Sequence, residues 1–131
     1  METSQLGKNR TRQRDVIARV IGEAGGPLTV GEILERAQQE IEGMGVVTVY
    51  RTLKLLKESG QVRTVILPTG ESRFEPAGRG HHHHFHCRVC DEVFDVAGCH
   101  LSLPAGGEIS PGFVAESHDI TFYGTCPECS R

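Results

Sequence analysis

Val46-Val47-Thr48-Val49-Tyr50-Arg51-Thr52-Leu53-Lys54-Leu55-Leu56-Lys57-Glu58-Ser59, closed by Gly60, is the stretch that decides the fold. Val49, Leu53 and Leu56 recur at the spacing of one helical face and predict a side that packs inward. Tyr50, Arg51 and Lys54 fall on another face and stay exposed, and Gly60 supplies the stop. Immediately after it, 61–67 and 71–75 read as two strands joined across Pro68-Thr69-Gly70. Before it, the turn Gly43-Met44-Gly45 follows a helix opened by a Thr29/Glu32 capping box, with Ile33, Ala37 and Ile41 on one side. An earlier helix, capped at Thr11 and stopped by Gly25-Gly26-Pro27, carries Val16, Ile17, Val20, Ile21 and Ala24 on its buried face. Three helices followed by a two-stranded ribbon is the order of a winged helix-turn-helix domain. The fold class is therefore α+β, with residues 1–75 as a DNA-binding domain.

Pro76-Ala77-Gly78-Arg79-Gly80 has linker composition and marks a hinge at 76–80, which leaves 81–131 as a second domain. There, 92–96 and 118–123 read as short strands, Ile120 and Phe122 alternating with polar neighbours in the latter. Residues 98–112 have loop composition, holding Gly98, Pro104, Gly106, Gly107, Pro111 and Gly112. Domains cut this small bury proportionately little surface, so each half calls for a staple or a partner.

Charge divides unevenly along the 131 residues: 1–75 carry eleven Lys/Arg against ten Asp/Glu, and 76–131 carry three against seven. Lys8, Arg10, Arg12 and Arg14 cluster ahead of the first helical pattern, either steering the protein toward phosphates or forming a solvated tail. No apolar run approaches the ~20 residues needed to span a bilayer, and the N-terminus lacks a signal-peptide core. The expected location is the cytoplasm, with no membrane partner. In that compartment paired cysteines hold metal or do redox chemistry rather than form disulfides, and five cysteines is an odd number for a disulfide framework.

Cys87-x-x-Cys90 and Cys126-x-x-Cys129 supply two knuckles that together can close a tetrahedral site around structural zinc. The 35 residues between them exceed ordinary zinc-ribbon spacing, so the spacing alone does not name a fold. A thioredoxin-like role needs a CxxC at a helix start in an α/β fold, which is missing here. Cys99 is left over, either free or an additional ligand. Just before the first knuckle runs His81-His82-His83-His84-Phe85-His86. In an extended segment His81 and His83 point one way and His82 and His84 the other, so one strand could feed two metal sites. Imidazoles joined by carboxylates suit zinc, iron or manganese, and Glu75, Asp95 and His118 are candidates to join them. Solvated surface histidines are the plain alternative. On the third helix, Arg51 can read a guanine edge and Tyr50 a thymine methyl or a phosphate.

In combination, Thr11-x-x-Arg14, Thr48-Val49-Tyr50-Arg51-Thr52-Leu53, Phe74-Glu75, His-x-His-x-x-Cys-x-x-Cys and His118 eight residues before Cys126 resemble the ferric uptake regulator family of bacterial metal-responsive repressors. The resemblance spans nearly the whole chain. It implies an N-terminal winged helix-turn-helix domain joined by a hinge to a small C-terminal α/β dimerisation domain. It implies further that Cys87, Cys90, Cys126 and Cys129 hold structural zinc. Glu75, His82, His84 and Asp95 match a regulatory site between the domains, and His81, His83 and His118 match a further site in the dimerisation domain. Tyr50 and Arg51 match base-contacting residues, with Thr48, Lys54, Arg10 and Arg12 as further DNA-binding candidates.

The sequence departs from the family pattern in three places. The histidine that often precedes the second helix is absent from Gly26-Pro27-Leu28-Thr29, so the regulatory site loses a member or recruits Cys99 or His100. The family's helix between the last two strands falls on the loop-like 98–112. The carboxylate that helix usually gives to the further site has no counterpart. The expected function is a homodimeric, metal-dependent repressor of metal uptake or homeostasis genes that binds a double-stranded DNA operator and is not an enzyme. Its expected metals are Zn2+ in the structural site and Fe2+ or Mn2+ in the regulatory site, with Zn2+ possible there. A metal buffer or chaperone would leave Tyr50 and Arg51 without a use, and a zinc hydrolase would need an open coordination position and a general base.

Overall fold

The computed structural model describes residues 2–99, 101 and 105–131, and the side chains of all of these except 2–8 and 105. The chain forms two compact units that divide between Arg79 and Gly80.

The first unit contains α1 (Glu2–Glu23), α2 (Val30–Gln38), α3 (Val46–Glu58), β1 (Val62–Ile66) and β2 (Ser72–Pro76). Ile17 and Ile21 of α1, Ile33 and Ala37 of α2, and Val49, Leu53 and Leu56 of α3 meet in one buried cluster that Val62 and Leu28 complete. Each large aliphatic so buried contributes ~1.5–3 kcal/mol. The capping box at α2 forms: Glu32 N–H donates to Thr29 Oγ1 at 3.1 Å, and Thr29 N–H donates to Glu32 Oε1 at 3.0 Å. The same Glu32 oxygen lies 3.4 Å from Nη1 of the buried Arg73, whose Nε donates to Glu71 at 2.6 Å, so the ribbon is tied to the start of α2. β1 and β2 pair antiparallel, Arg63 opposite Glu75.

One expectation needs correcting in this unit. Thr11 lies inside α1 and is not its cap, because Glu2, Gln5, Leu6 and Lys8 are good helix formers and no proline stops the helix from starting earlier. Arg10, Arg12 and Arg14 are therefore helical residues pointing in fixed directions rather than members of a tail. The two-stranded ribbon forms as expected, and an isolated bridge joins it: Leu28 N–H donates to Phe74 O at 2.9 Å, and Phe74 N–H donates to Leu28 O at 2.8 Å.

The second unit is built on β3 (His82–Cys87), which pairs antiparallel with β4 (Val93–Ala97) and parallel with β7 (Thr121–Gly124). Between β4 and β7 lie a 3-10 turn at Ala105–Gly107 and a small hairpin, β5 (Glu108–Ser110) with β6 (Phe113–Val114). Among its described residues the unit has no α-helix. Glycine replaces helix here for a physical reason: Gly106, Gly107 and Gly112 adopt positive φ, which helices of L-residues reject. At Gly107 a Cβ would come within 2.8 Å of the Ala115 carbonyl, and Ala115 N–H donates to Gly107 O at the same 2.8 Å, so the close crossing that fixes the hairpin needs glycine.

Candidate metal centres and nucleic-acid face

The two CxxC segments form matching turns. Asp91 N–H donates to Cys87 O at 3.0 Å, and Ser130 N–H donates to Cys126 O at 2.9 Å. Asp91 sits at φ 66°, a left-handed conformation that Asp tolerates better than most residues, and its carboxylate lies 2.6 Å from His86 Nε2. The four thiols of Cys87, Cys90, Cys126 and Cys129 lie within 4.8 Å of one another, and Cys90 Sγ is 3.9 Å from Cys126 Sγ. Zinc–sulfur bonds of about 2.3 Å give a tetrahedron with edges of roughly 3.8 Å, so the group fits zinc. Its electrostatics divide the thiols, favouring the thiolate at Cys87 and the protonated thiol at Cys129. The backbone N–H of Cys90 foremost, aided by that of Cys126, pulls the Cys87 thiol down to about 6. Sharing protons with Cys126 foremost, and burial, push Cys129 up to about 12.

β3 sends its imidazoles to opposite faces. On one, His82 Nε2 and His84 Nε2 each lie 3.7 Å from Asp95 Oδ1, His84 standing opposite Asp95 in the β3–β4 register. On the other, His83 Nε2 lies 3.1 Å from His81 Nε2 and 3.2 Å from Cys99 Sγ, and Cys99 Sγ lies 3.2 Å from His118 Nε2. Burial foremost, then repulsion from His81 and His118, lowers the pKa of His83, keeping it in the neutral form that binds metal. Cys99 thus does not join His82, His84 and Asp95 as a replacement for the missing family histidine; the turn at Gly98 carries it to the opposite face. Leu28, at the position of that histidine, is buried and hydrogen-bonded into the ribbon, where it packs rather than ligates. His100 lies outside the described residues.

Glu75 belongs to the first unit, where it is fully buried and its Oε2 accepts from Arg63 Nε at 2.6 Å. In the same unit Thr48 and Arg51 of α3 face Arg10, Gln13 and Arg14 of α1 across a cleft of about 430 Å³. Tyr50 and Lys54 flank a neighbouring hollow with Leu53, Lys57, Glu58 and Phe74. Arg12 points away from the cleft: its Nη2 donates to the Glu40 carbonyl at 3.1 Å. The side chain of Lys8 lies outside the described ones. Arg14, one helical turn from Arg10, is the residue the basic cluster concealed, since only the phase of α1 separates it from Arg12.

A winged helix with exposed Tyr50 and Arg51, on a chain with three clusters of nitrogen, oxygen and sulfur donors, defines a metal-responsive regulator of the winged helix class. The family model of the ferric uptake regulator family matches residues 5–123. The zinc uptake regulation protein of Mycobacterium tuberculosis is 34% identical over 96% of this chain and 98% of its own length. The ferric uptake regulation protein of Campylobacter upsaliensis is 28% identical over 95% of this chain and 82% of its own length. A solved zinc-bound manganese uptake regulator superposes with a TM-score of 0.70 at 24% identity, covering 94% of this chain and 97% of that one, a likeness of fold alone. The chain belongs to the ferric uptake regulator family. Members of that family are DNA-binding transcriptional regulators that act as dimers, so this protein is a regulator and not an enzyme. Among the described residues, no helix is long and apolar enough to cross a membrane.

Proposed function

We propose that the chain is a cytoplasmic, homodimeric repressor of metal uptake or homeostasis genes whose operator binding requires a divalent metal. In this reading residues 1–75 bind DNA, 76–80 act as the hinge and 81–131 carry the metals and the dimer contact. Cys87, Cys90, Cys126 and Cys129 hold structural zinc. His82, His84 and Asp95 hold the regulatory ion, with Glu75 added on the family resemblance, and His81, His83 and His118 belong to a further site. Thr48, Tyr50, Arg51 and Lys54 read the operator, while Arg10 contacts phosphate.

The observation that carries the reading is the common 3.7 Å approach of His82 and His84 to one Asp95 oxygen. A nitrogen and oxygen set without thiolate suits iron(II) or manganese(II). A zinc-sensing version is favoured by the 34% identity to a zinc uptake regulation protein. DNA binding by the zinc-loaded dimer, titrated with each divalent ion at several salt concentrations, tests the proposal. Sequence-selective, salt-dependent binding that appears only with added metal is expected. Metal uptake without any such binding would instead make the chain a metal buffer.

A further inference from the structure

The excursion from β4 to β7 leaves Ile109, Phe113 and Val114 exposed, and its described residues contribute no α-helix and little apolar burial to hold it against the sheet. Segments of this kind are stapled by disulfides or metals. Cys99 stands just after β4 and His118 just before β7, which places one at each end of the excursion. Both reach His81 and His83 at the start of the central strand. All four donor atoms lie within 4.8 Å of one another, with close approaches of 3.1, 3.2 and 3.2 Å. Zinc–nitrogen bonds of about 2.0–2.1 Å and zinc–sulfur bonds of about 2.3 Å set tetrahedral edges of roughly 3.3–3.6 Å between such ligands. The three close approaches, His81–His83, His83–Cys99 and Cys99–His118, already lie within a few tenths of an ångström of such edges.

We propose that Cys99 completes a closed His3Cys site with His81, His83 and His118, and that this site takes zinc and pins both ends of the 98–118 excursion to β3. This deepens the reading of the chain as a metal-dependent regulator and rests on it. A thiolate with three imidazoles is a softer set than three imidazoles with a carboxylate. It favours zinc over iron(II) or manganese(II), whereas the His82, His84 and Asp95 face keeps its harder oxygen donor. Four protein ligands leave no open position, as in structural rather than catalytic zinc sites. His83 comes from β3, His81 from the residue just before it, and the remaining ligands from the two ends of one excursion, so the metal cross-links residues far apart in sequence without a dedicated core.

Cobalt(II) added to full-length protein that keeps zinc in its four-cysteine site reports the ligands directly, because cobalt binds more weakly than zinc and does not displace it. Wild-type protein should gain a thiolate-to-cobalt charge-transfer band and tetrahedral ligand-field bands at one added equivalent. Cys99→Ser should lose the charge-transfer band, retain the four-cysteine zinc, and bind zinc at this site at least about tenfold more weakly, the lower end of what losing even an outer-shell partner costs. In unsubstituted protein, zinc should slow alkylation of Cys99 by N-ethylmaleimide, read by mass spectrometry, with a chelator restoring the rate. A wild-type protein without the band, a band unchanged in Cys99→Ser, or an alkylation rate indifferent to zinc would each overturn the assignment. Operator binding measured on the same samples reports separately on the regulator reading.

Discussion

His82 and His83 are neighbours in the chain, yet their imidazoles serve opposite faces of β3: His82 lies 3.7 Å from Asp95, and His83 lies 3.2 Å from Cys99. The two-residue period of a strand turns one histidine run into two donor sets of different hardness. His82→Ala should therefore weaken activation by the regulatory metal while leaving total zinc unchanged, and His83→Ala should lower zinc content. Metal analysis of the two variants, alongside DNA binding, checks the separation; identical losses in both would argue against it.

The four-cysteine group should govern folding of the second unit. The binding free energy of structural zinc becomes folding free energy, ~10–16 kcal/mol in small peptides. Cys126→Ser removes a buried thiol whose neighbouring N–H donates to Cys87 Sγ at 3.4 Å. Loss of zinc together with loss of a cooperative thermal transition in the second unit is the expected outcome. Full zinc and an unaltered melt would reject the group as structural.

Zinc binding there should also depend on pH with a definite sign. Only thiolates ligate, so protons leave as metal enters and affinity rises with pH. Near neutrality Cys87, lowered to about 6, is already largely ionised, whereas Cys129, raised to about 12, must still give up its proton. Below about pH 6 Cys87 is protonated as well and adds its own proton to the count, so the dependence should steepen. Chelator competition at pH 5 to 8 measures this; an affinity independent of pH would contradict it.

On the winged helix, Arg51→Ala should cost roughly 1–3 kcal/mol on a specific operator and relax specificity at the base it reads. Arg10→Ala should weaken binding evenly across sequences and reduce the salt slope by about one. Arg12→Ala should do neither to the same extent, because Arg12 is held against Glu40. Fluorescence anisotropy on specific and scrambled duplexes at several salt concentrations distinguishes the three.

The helices were legible because their apolar residues recur with one period, from Ile17 and Ile21 through Leu53 and Leu56, and because Thr29 and Glu32 announce a cap. What escaped reading depends on direction rather than composition. The phase of α1 decides that Arg12 faces Glu40 while Arg10 and Arg14 face α3, and a start at Thr11 leaves that phase undefined for Arg10. The β5–β6 hairpin hides in glycine-rich sequence because a backbone crossing holds it, Ala115 on Gly107, and no side-chain pattern marks such a crossing. Cys99 meets His83 through a turn at Gly98 and a separation of sixteen positions, which local spacing cannot encode.

Leu56→Ala should destabilise the DNA-binding unit by ~2–5 kcal/mol, since Leu56 is buried where α3 meets the common core. A denaturant midpoint shift of that size, with metal content unchanged, is the expected result. A negligible shift would mean that the core tolerates the cavity by collapsing around it.

The most direct test is the metal dependence of operator binding by zinc-loaded protein, compared between wild type and Asp95→Ala. Iron(II) or manganese(II) at micromolar concentration should activate the wild type, and Asp95→Ala should lose the response while keeping its zinc. Activation of both proteins by zinc alone, to the same extent and without any response to iron(II) or manganese(II), would contradict the assignment of His82, His84 and Asp95 as the regulatory site.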